Sequence, residues 1–489
     1  MSKIKHNSNE CMNALYEAFP YQQEAFMAVR DLNYAAIFHE QGLGKTKIAI
    51  DLMLYWIQNR DIDTVLVVTK KTLVPNWVKE FGVHTLLRPK VLDSNRGANF
   101  YAFNSSARIL ITNFETVSGE KERLKLFLKT RNVAIVVDES TKIKNPNSKL
   151  TKDFFELIDL FRIRLIMTGT PVANRPYDVW SQIYFLDKGM SLGQDFKSFK
   201  RSCDLSNDLN DNMPRRTEFE DSVTSIFKRI GPFTVRETKN GGIISLPSKS
   251  YHDILVEFSP MQLMMYTQVK DEMLLELHKN KEVIMDESPE AIKRLLRLVQ
   301  VTSNPAILDD AYSEISSKEK ILEELITTIL DKNEQVIIWS IFTGNIDSFY
   351  KKFKDKGASK ITGKMSIVER VEFIERFKNG KSKILFATPQ SAKEGLTLTE
   401  ANHAIFYDRG FNLDDYLQAQ DRIHRISQNK ECHIYNLMVK DSIDIWINRL
   451  LEAKQRAAFL AQGDISIKDY KREADYTFSQ IVKSILNVE

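Results

Sequence analysis

A glycine-rich segment near the start of the chain has the residue types that bind nucleotide phosphates. It runs from His39 to Thr46, contains Gly42 and Gly44, and places Lys45 at the start of a helical pattern. In such a turn the backbone N–H groups can wrap phosphates at a helix N-terminus. Lys45 would neutralise the β- and γ-phosphates, and Thr46 would ligate magnesium. The strict phosphate-loop pattern has glycine where His39 stands, so the match is partial, and an ordinary glycine turn is the alternative.

A pair of acidic residues follows an apolar run further along the chain. Val133–Val137 leads directly into Asp138 and Glu139. A carboxylate after a buried strand can hold the magnesium ion that bridges the phosphates, and we assign this role to Asp138. The adjacent carboxylate can orient or deprotonate the attacking water, which we assign to Glu139. An isolated Asp-Glu pair is usually a solvated loop, but its position after a strand and downstream of a phosphate loop favours nucleotide hydrolysis.

The second half of the chain contains two arginines in a helical pattern. At helical spacing Gln418, Arg422 and Arg425 fall on one face. An arginine delivered across a domain interface can stabilise transition-state charge and contribute on the order of 10³–10⁵ in rate. A helix with two surface arginines explains the same residues, and for the segment taken alone it is the better interpretation.

Two groups of short apolar runs, rich in valine and isoleucine, predict the strands that position these residues. The first group is Tyr34–Phe38, Thr64–Val68, Arg108–Thr112, Val133–Val137 and Arg164–Thr168. The second group is Val336–Ser340, Ile384–Thr388, His403–Tyr407 and His433–Leu437. Little polar alternation within a run is typical of strands covered on both faces. Helical patterns between the runs then predict an α/β fold with two doubly wound parallel sheets, whose ligands bind beyond the carboxyl ends of the strands.

Proline positions indicate how the chain is divided. Ser259-Pro260 and Ser288-Pro289 each pair a helix cap with proline at the first helical position, and Asn304-Pro305 breaks the second of these helices. The predicted parts are a first domain over 1–250 with an irregular or helical insertion at about 187–245, a helical appendage and linker over 251–315, a second domain over 316–440, and a C-terminal helical tail over 441–489.

Composition limits the class of protein without identifying it. Hydrophobic residues make up 43% of the chain, enough for sizeable cores, and 69 basic against 65 acidic side chains give a net charge of +4. This balance neither demands nor excludes nucleic acid. Three widely separated cysteines form no metal-type spacing, the first residues are polar, and no apolar run approaches the roughly 20 residues that span a membrane. We therefore expect a cytoplasmic protein. A prokaryote or a virus is a separate expectation for its source and does not follow from composition.

Taken in order, the motifs resemble the Swi/Snf-like branch of the superfamily-two helicases and translocases. The resemblance extends from about Pro20 to Asp444. The matching segments are Pro20–Gln22, His39–Thr46, Leu73–Phe81, Thr112–Thr116, Asp138–Asn145, Arg164–Pro171 with Asn174 and Trp180, Ser340–Thr343, Thr362-Gly363, Gly395–Leu398 and Asp421–Gln428. The chain departs from the family at Ser140-Thr141, where a small residue plus His or Asp is usual, and Lys393 and Glu394 stand where glycines are common.

The resemblance implies two RecA-like domains that hydrolyse ATP, with Mg²⁺, in the cleft between them. It assigns Gln22 to the adenine base, Gly395 and Gln418 to nucleotide contacts, and Arg422 and Arg425 to catalysis from the second domain. Contacts to nucleic acid should go mainly to phosphates, because a motor must not depend on sequence. By family position these contacts are Lys70, Lys71, Trp77, Thr112, Asn113, Phe114, Ser340, Thr343, Thr362 and Thr388.

The expected function is that of a monomeric motor that translocates along duplex DNA and has no membrane partner. Three alternatives remain open at this level. One is a strand-separating or annealing helicase that acts on forks or hybrids, and the same motifs would serve it. Another is a P-loop kinase or ATPase independent of nucleic acid, which leaves the arginine motif unexplained. The third is a non-catalytic scaffold, which is hard to reconcile with the presence of Lys45, Asp138, Glu139 and Arg425.

Overall fold

The apolar runs of the sequence form two parallel β-sheets in the computed structural model of the chain. The structure describes residues 13–172, 174–205, 209, 212–239, 246–280, 289–391 and 396–473. The chain separates into unit 1, which comprises residues 1–203, 220–244 and 458–465, and unit 2, which comprises residues 204–219, 245–457 and 466–489. Each unit contains one of the sheets, which confirms the predicted α/β class with two parallel sheets.

The first sheet has seven strands within the described residues, and all neighbouring strands are parallel. They are β1 (Tyr34–Ile37), β2 (Thr64–Thr69), β3 (Lys90–Val91), β4 (Ile109–Asn113), β5 (Val133–Asp138), β6 (Ile163–Met167) and β7 (Thr234–Val235), in the order β3-β4-β2-β5-β6-β1-β7. The predicted runs are confirmed here, each within one residue at either end.

The second sheet is also entirely parallel, with six strands in the described part of the chain. They are β8 (Lys249–Val256), β9 (Val336–Trp339), β10 (Ser359–Ile361), β11 (Ile384–Ala387), β12 (His403–Phe406) and β13 (Cys432–Val439), in the order β10-β11-β9-β12-β13-β8. The predicted runs are again confirmed, within two residues at either end.

Helices connect the strands. The first ten are α1 (Pro20–Val29), α2 (Lys45–Asn59), α3 (Val74–His84), α4 (Arg96–Phe103), α5 (Phe114–Gly119), α6 (Lys121–Thr130), α7 (Lys149–Phe155), α8 (Asp178–Asp187), α9 (Phe196–Cys203) and α10 (Met213–Ile230). The others are α11 (Pro260–Asn280), α12 (Pro289–Ser303), α13 (Ser317–Asp331), α14 (Thr343–Phe353), α15 (Ile367–Lys378), α16 (Leu413–Gln420), α17 (Ile443–Gln462) and α18 (Ile467–Glu473). Among the described residues, no helix is both long enough and apolar enough to cross a bilayer.

Burial on both faces explains why the strands of the first sheet read as continuous apolar runs. Val65 and Val67 of β2 join the core that contains Trp56 of α2 and Trp77 of α3. The alternate residue Leu66 is fully buried as well. Side chains on a strand point alternately to the two faces, so both faces of the sheet are covered, as parallel sheets require.

Strand β8 differs from the prediction. The sequence indicated an irregular connector followed by a helical appendage in this region, but residues 249–256 form a strand that pairs in parallel with β13 along its whole length. It is the last strand in the order of the second sheet, and its exposed and half-buried residues alternate. An edge strand with one solvent-exposed face carries polar residues on that face. It therefore lacks the continuous apolar run that is typical of the central strands.

Candidate nucleotide site

The strand order of unit 1 brings the predicted catalytic motifs to one edge of the sheet. Strands β2, β5, β6 and β1 are consecutive neighbours and run parallel, so their carboxyl ends lie at the same edge. The phosphate loop follows β1, Gly169 follows β6, and Asp138 ends β5. The carboxyl edge of a parallel sheet is where ligands of doubly wound folds bind.

The phosphate loop is shaped by a close approach of α1. Gly44 has φ of +67°, and a Cβ atom there would lie 2.2 Å from Nε2 of Gln22. The side chains of Tyr21 and Gln22 both donate hydrogen bonds to the carbonyl of Leu43, at 3.2 and 3.4 Å. Gly42 also has positive φ, at 87°. The positive φ favours glycine at position 44, and the amide end of Gln22 lies directly against the loop.

The side chain of Lys45 is hydrogen-bonded to the backbone of its own loop. Its Nζ donates hydrogen bonds to the carbonyls of His39 and Glu40, at 2.9 and 3.1 Å. Thr46 follows it in the first turn of α2. Gly169 packs against the same loop, since a Cβ atom there would lie 2.7 Å from Cγ of Gln41 and 3.4 Å from Nζ of Lys45. Gly169 must therefore remain glycine for the loop to keep this position.

A segment after β7 supports the loop and was not found from the sequence. The backbone N–H of Glu40 donates to the carbonyl of Glu237, at 2.9 Å. Arg236 donates to the carbonyl of Phe38, at 2.8 Å, and forms an ion pair with Asp464. The strand β7 has two residues and no apolar run, so only its pairing with β1 reveals it.

His39 occupies the position where the strict motif has glycine. Its side chain is buried, with 1% exposed. Burial, together with the nearby positive charge of Lys45, lowers the pKa of His39 to about 4. The imidazole is therefore neutral at physiological pH and adds no positive charge to the loop.

Asp138 is held at the end of β5 by donors from two other elements. Its Oδ2 accepts hydrogen bonds from Thr69 Oγ1, at 3.0 Å, and from Trp77 Nε1, at 2.9 Å. Its Oδ1 accepts the backbone N–H of Glu139, at 3.0 Å. Burial and the adjacent carboxylate of Glu139 raise the pKa of Asp138, whereas these donors and Lys45 favour its ionised form. A carboxylate buried beside a lysine and fixed by donors is suited to bind a cation.

Glu139 adopts a left-handed backbone conformation, with φ of 55°. For a residue with a Cβ atom this conformation costs roughly 1–2 kcal/mol, and such strain often marks functional sites. Its Oε2 lies 3.4 Å from Nζ of Lys70, in an ion pair whose side chains are 16% and 15% exposed. The sequence predicted Lys70 only as a nucleic-acid contact, and the structure adds an acidic partner from the predicted catalytic pair.

In unit 2 the arginine motif has a different local structure from the one predicted. Helix α16 ends at Gln420, so Gln418 is helical while Arg422 and Arg425 lie in the turns that follow. The carbonyl of Arg422 accepts the N–H of Leu398, at 3.0 Å, and the carbonyl of Ile423 accepts Nε2 of Gln428, at 2.9 Å. Leu398 and Gln428 both lie outside α16, and the helix does not continue past Gln420. The expectation of one helical face is wrong for this reason.

The motif nevertheless joins another predicted segment of unit 2. Arg422 is buried and donates from Nη1 to the carbonyl of Leu396, at 3.2 Å. Arg425 donates to Thr397 Oγ1, at 2.8 Å, and to the carbonyl of Asp421, at 2.9 Å. Gln418 is buried and donates to Asp414 Oδ1, at 2.7 Å. Gly395 lies outside the described residues.

The predicted nucleic-acid contacts are mostly buried. Lys71 is exposed, and Lys70 and Thr343 are partly exposed. The buried members are Trp77, Thr112, Asn113, Phe114, Ser340, Thr362 and Thr388. In this conformation these seven side chains face the interior, which differs from the expectation of a contact surface.

Structural roles account for several of these buried residues. Phe114 packs with Phe154, with ring centroids 5.8 Å apart, and Asn113 caps α5 by accepting the N–H of Thr116, at 2.9 Å. Thr112 donates to the carbonyl of Leu92, at 3.1 Å, and Ser340 donates to the buried carboxylate of Asp408, at 2.6 Å. Trp77 donates to Asp138 and is only 1% exposed, so its indole face is covered in this structure.

Known family models and related proteins match most of this chain. The model of the SNF2-related domain matches residues 21–307, and that of the helicase conserved C-terminal domain matches residues 317–427. The chain is 28% identical over 452 residues to an uncharacterized ATP-dependent helicase of Mycoplasma pneumoniae, covering 89% of this chain and 41% of that protein. It is 27% identical over 462 residues to the putative ATP-dependent helicase/translocase YwqA of Bacillus subtilis, covering 89% and 48%.

Among solved structures, the chain is similar to the Sulfolobus solfataricus SWI2/SNF2 ATPase core in complex with dsDNA. The identity is 24%, the TM-score is 0.43, and the match covers 95% of this chain and 98% of that one. The chain spans less than half the length of the curated relatives it matches.

Proposed function

Because the chain belongs to the SNF2-related family, we propose that it is an ATP-hydrolysing motor that translocates along duplex DNA. The observation that carries the proposal is the gathering of Lys45, Asp138 and Glu139 at one edge of the first sheet. The match to the helicase conserved C-terminal domain further supports it, and so does similarity to a putative helicase/translocase. A phosphate-binding cation, a cation-binding carboxylate and a candidate base are the three groups that hydrolysis of a nucleoside triphosphate needs.

Binding of the nucleotide would begin at Lys45. Its ammonium group is held by two neutral carbonyls, and charged phosphate oxygens are stronger acceptors than carbonyls. A triphosphate can therefore take over these hydrogen bonds. Gln22 donates to the carbonyl of Leu43 in the loop, which supports its proposed contact with the base.

The residues at the site fit the Mg²⁺ ion that the family implies. Asp138 would hold it together with Thr46, since a buried carboxylate with a raised pKa gains from a neighbouring cation. In the described part of the chain, no three His, Cys, Asp or Glu side chains group into a metal site. This agrees with the way Mg²⁺ is bound with nucleotides, through one or two protein oxygens plus phosphates and water. When bound, the ion would neutralise charge on the phosphate oxygens.

Glu139 is the candidate for orienting and deprotonating the attacking water. Its backbone is fixed by the hydrogen bond from its N–H to Asp138, so its carboxylate starts from a defined point beside the cation-binding group. General-base assistance of this kind contributes typically 10²–10⁴ in rate. The contributions of Arg422 and Arg425 to hydrolysis, and those of Gly395 and Gln418 to nucleotide binding, remain proposals based on the family resemblance.

A panel of ATPase measurements tests the proposed function. Turnover is measured with no nucleic acid, single-stranded DNA, duplex DNA, forked DNA and RNA, at equal nucleotide concentration. We expect duplex DNA to raise kcat most strongly, and we expect displacement of a triplex strand without separation of the duplex. Turnover that no nucleic acid changes would favour a nucleic-acid-independent ATPase, and separation of the duplex strands would favour a helicase.

A further inference from the structure

The register of the first sheet sets Lys70 beside Glu139. Val68 of β2 pairs with Val137 of β5, the two strands end at Thr69 and Asp138, and Lys70 and Glu139 are the next residues. Thr69 donates to Asp138 at 3.0 Å, and Nζ of Lys70 lies 3.4 Å from Oε2 of Glu139. These two side-chain contacts directly follow the last paired residues of the two strands, Val68 and Val137. The ion pair therefore joins the residues that directly follow two neighbouring strands.

This ion pair opposes the catalytic task assigned to Glu139. A general base must come within hydrogen-bonding reach of the attacking water, about 2.6–3.2 Å away. While Lys70 holds one carboxylate oxygen, the freedom of the Glu139 side chain to turn towards the attacking water is reduced.

Lys70 can exchange this partner for another. The two side chains are 15% and 16% exposed, so the pair is reachable by a ligand without unfolding of the site. Lys71, the next residue, is exposed at the same edge and adds a second positive charge. A DNA phosphate is a charged acceptor that binds lysine at least as well as a carboxylate does. A backbone phosphate close to Lys70 and Lys71 would therefore compete with Glu139 for the ammonium group.

We propose that Lys70 is a positioning residue that restrains Glu139 until a DNA phosphate binds it, and so makes ATP hydrolysis depend on DNA. The proposal rests on the proposed function, because it requires that duplex DNA stimulate the ATPase. It adds a physical route for that stimulation within unit 1. Removal of the restraint by mutation should then imitate part of the effect of DNA.

The test compares Lys70→Met with the wild type in the full chain. Methionine keeps an unbranched apolar stem of similar length and removes the charge. We expect kcat without DNA to rise about fivefold, the size of effect that one partly exposed ion pair can give. The KM for ATP should change little, and stimulation by saturating duplex DNA should fall. Lys70→Arg keeps a cation at this position and should restore low basal turnover.

Lys129→Ala is the matched control, because Lys129 is an exposed lysine on α6 of the same unit and lies outside the candidate site. It removes the same charge and should leave basal turnover unchanged. Thermal unfolding of each variant verifies that it is folded, and Lys70→Ala replaces Lys70→Met if the latter unfolds.

The outcomes separate the two proposals. If duplex DNA does not stimulate the wild type, the proposed function fails and the gating role fails with it. If DNA stimulates the wild type but removal of the Lys70 charge leaves basal kcat unchanged or lowers it, only the gating role is overturned. Lys70 would then be an ordinary DNA contact or a structural residue.

Discussion

The hydroxyl of Ser140 donates a hydrogen bond of 2.7 Å to Oε1 of Gln182, and both side chains are fully buried. From the same amide, Nε2 of Gln182 donates to the carbonyl of Pro171, at 2.8 Å. Gln182 thus joins the segment that follows the acidic pair to the segment that follows β6. Ser140 departs from the residue that the family usually has, and the structure gives it a specific partner.

Replacement of Gln182 by leucine should destabilise unit 1. The change leaves the Ser140 hydroxyl and the Pro171 carbonyl buried without this partner, at a cost of about 1–3 kcal/mol. Urea unfolding followed by tryptophan fluorescence measures the loss. Ser140→Ala removes one hydrogen bond and should cost less, and the double variant should lose less than the sum because the two residues interact directly. Full additivity would show that the contact contributes little.

Glu139→Gln should separate nucleotide binding from hydrolysis. The amide keeps the size of the side chain but cannot accept a proton, so kcat should fall by about 10²–10⁴. Affinity for ATP, measured by titration with a fluorescent nucleotide, should stay within a few-fold of the wild type. Glu122→Gln, which changes an exposed acid on α6, serves as the control. A variant with near-normal kcat would remove Glu139 from the role of base.

Trp77→Phe should change the pH dependence of turnover. Burial already raises the pKa of Asp138, and the hydrogen bond from the Trp77 indole counteracts this by favouring the carboxylate. Loss of that donor raises the pKa further, so the acid limb of the kcat/KM profile should move to higher pH. Trp56→Phe is a matched control, since Trp56 is equally buried but donates to the carbonyl of Arg30. An unshifted profile for the Trp77 variant would contradict the assignment.

Arg425→Ala should slow hydrolysis by roughly two orders of magnitude if the side chain stabilises transition-state charge. The measurement is single-turnover hydrolysis at saturating ATP and DNA. Arg376→Ala, on α15 of the same unit, controls for the loss of one positive charge. Retention of normal turnover would limit Arg425 to its structural contacts with Thr397 and Asp421.

Glu334→Gln should lower stability in a pH-dependent way. Glu334 accepts a hydrogen bond from His403 Nε2, at 2.7 Å, and pairs with Lys430, at 3.2 Å. The contact with His403 is the main reason that the pKa of Glu334 falls to about 2. A lowered carboxyl pKa gives stability that is present above about pH 4.5 and is lost as the pH falls towards 2.

The variant should therefore unfold more easily than the wild type at pH 7, by about 1 kcal/mol, and the difference should shrink between pH 4.5 and pH 2. Thermal unfolding followed by circular dichroism at several pH values measures it. Glu375→Gln, an exposed acid on α15, should show no such trend. A difference that does not depend on pH would indicate a packing effect instead.

The sequence by itself determined the two parallel sheets and the loop and carboxylates at their edge. Central strands such as Val133–Asp138 are covered on both faces, so their local composition already carries the information. The phosphate loop and the acidic pair are also local, because each is a short segment tied to the end of one strand. The edge strand β8 has one exposed face, and β7 has only two residues, so composition could not reveal either.

Only the tertiary structure decided which side chains meet at that edge. Trp77 and Asp138 are 61 residues apart in the chain, and Lys70 and Glu139 are 69 apart. They are brought together because β2 and β5 are neighbours in a fixed register. The end of α16 before Arg422 also depends on distant partners, since carbonyls of the following turn are bound by Leu398 and Gln428. Side-chain spacing along a chain records local periodicity, whereas these contacts depend on strand order, which a single sequence does not display.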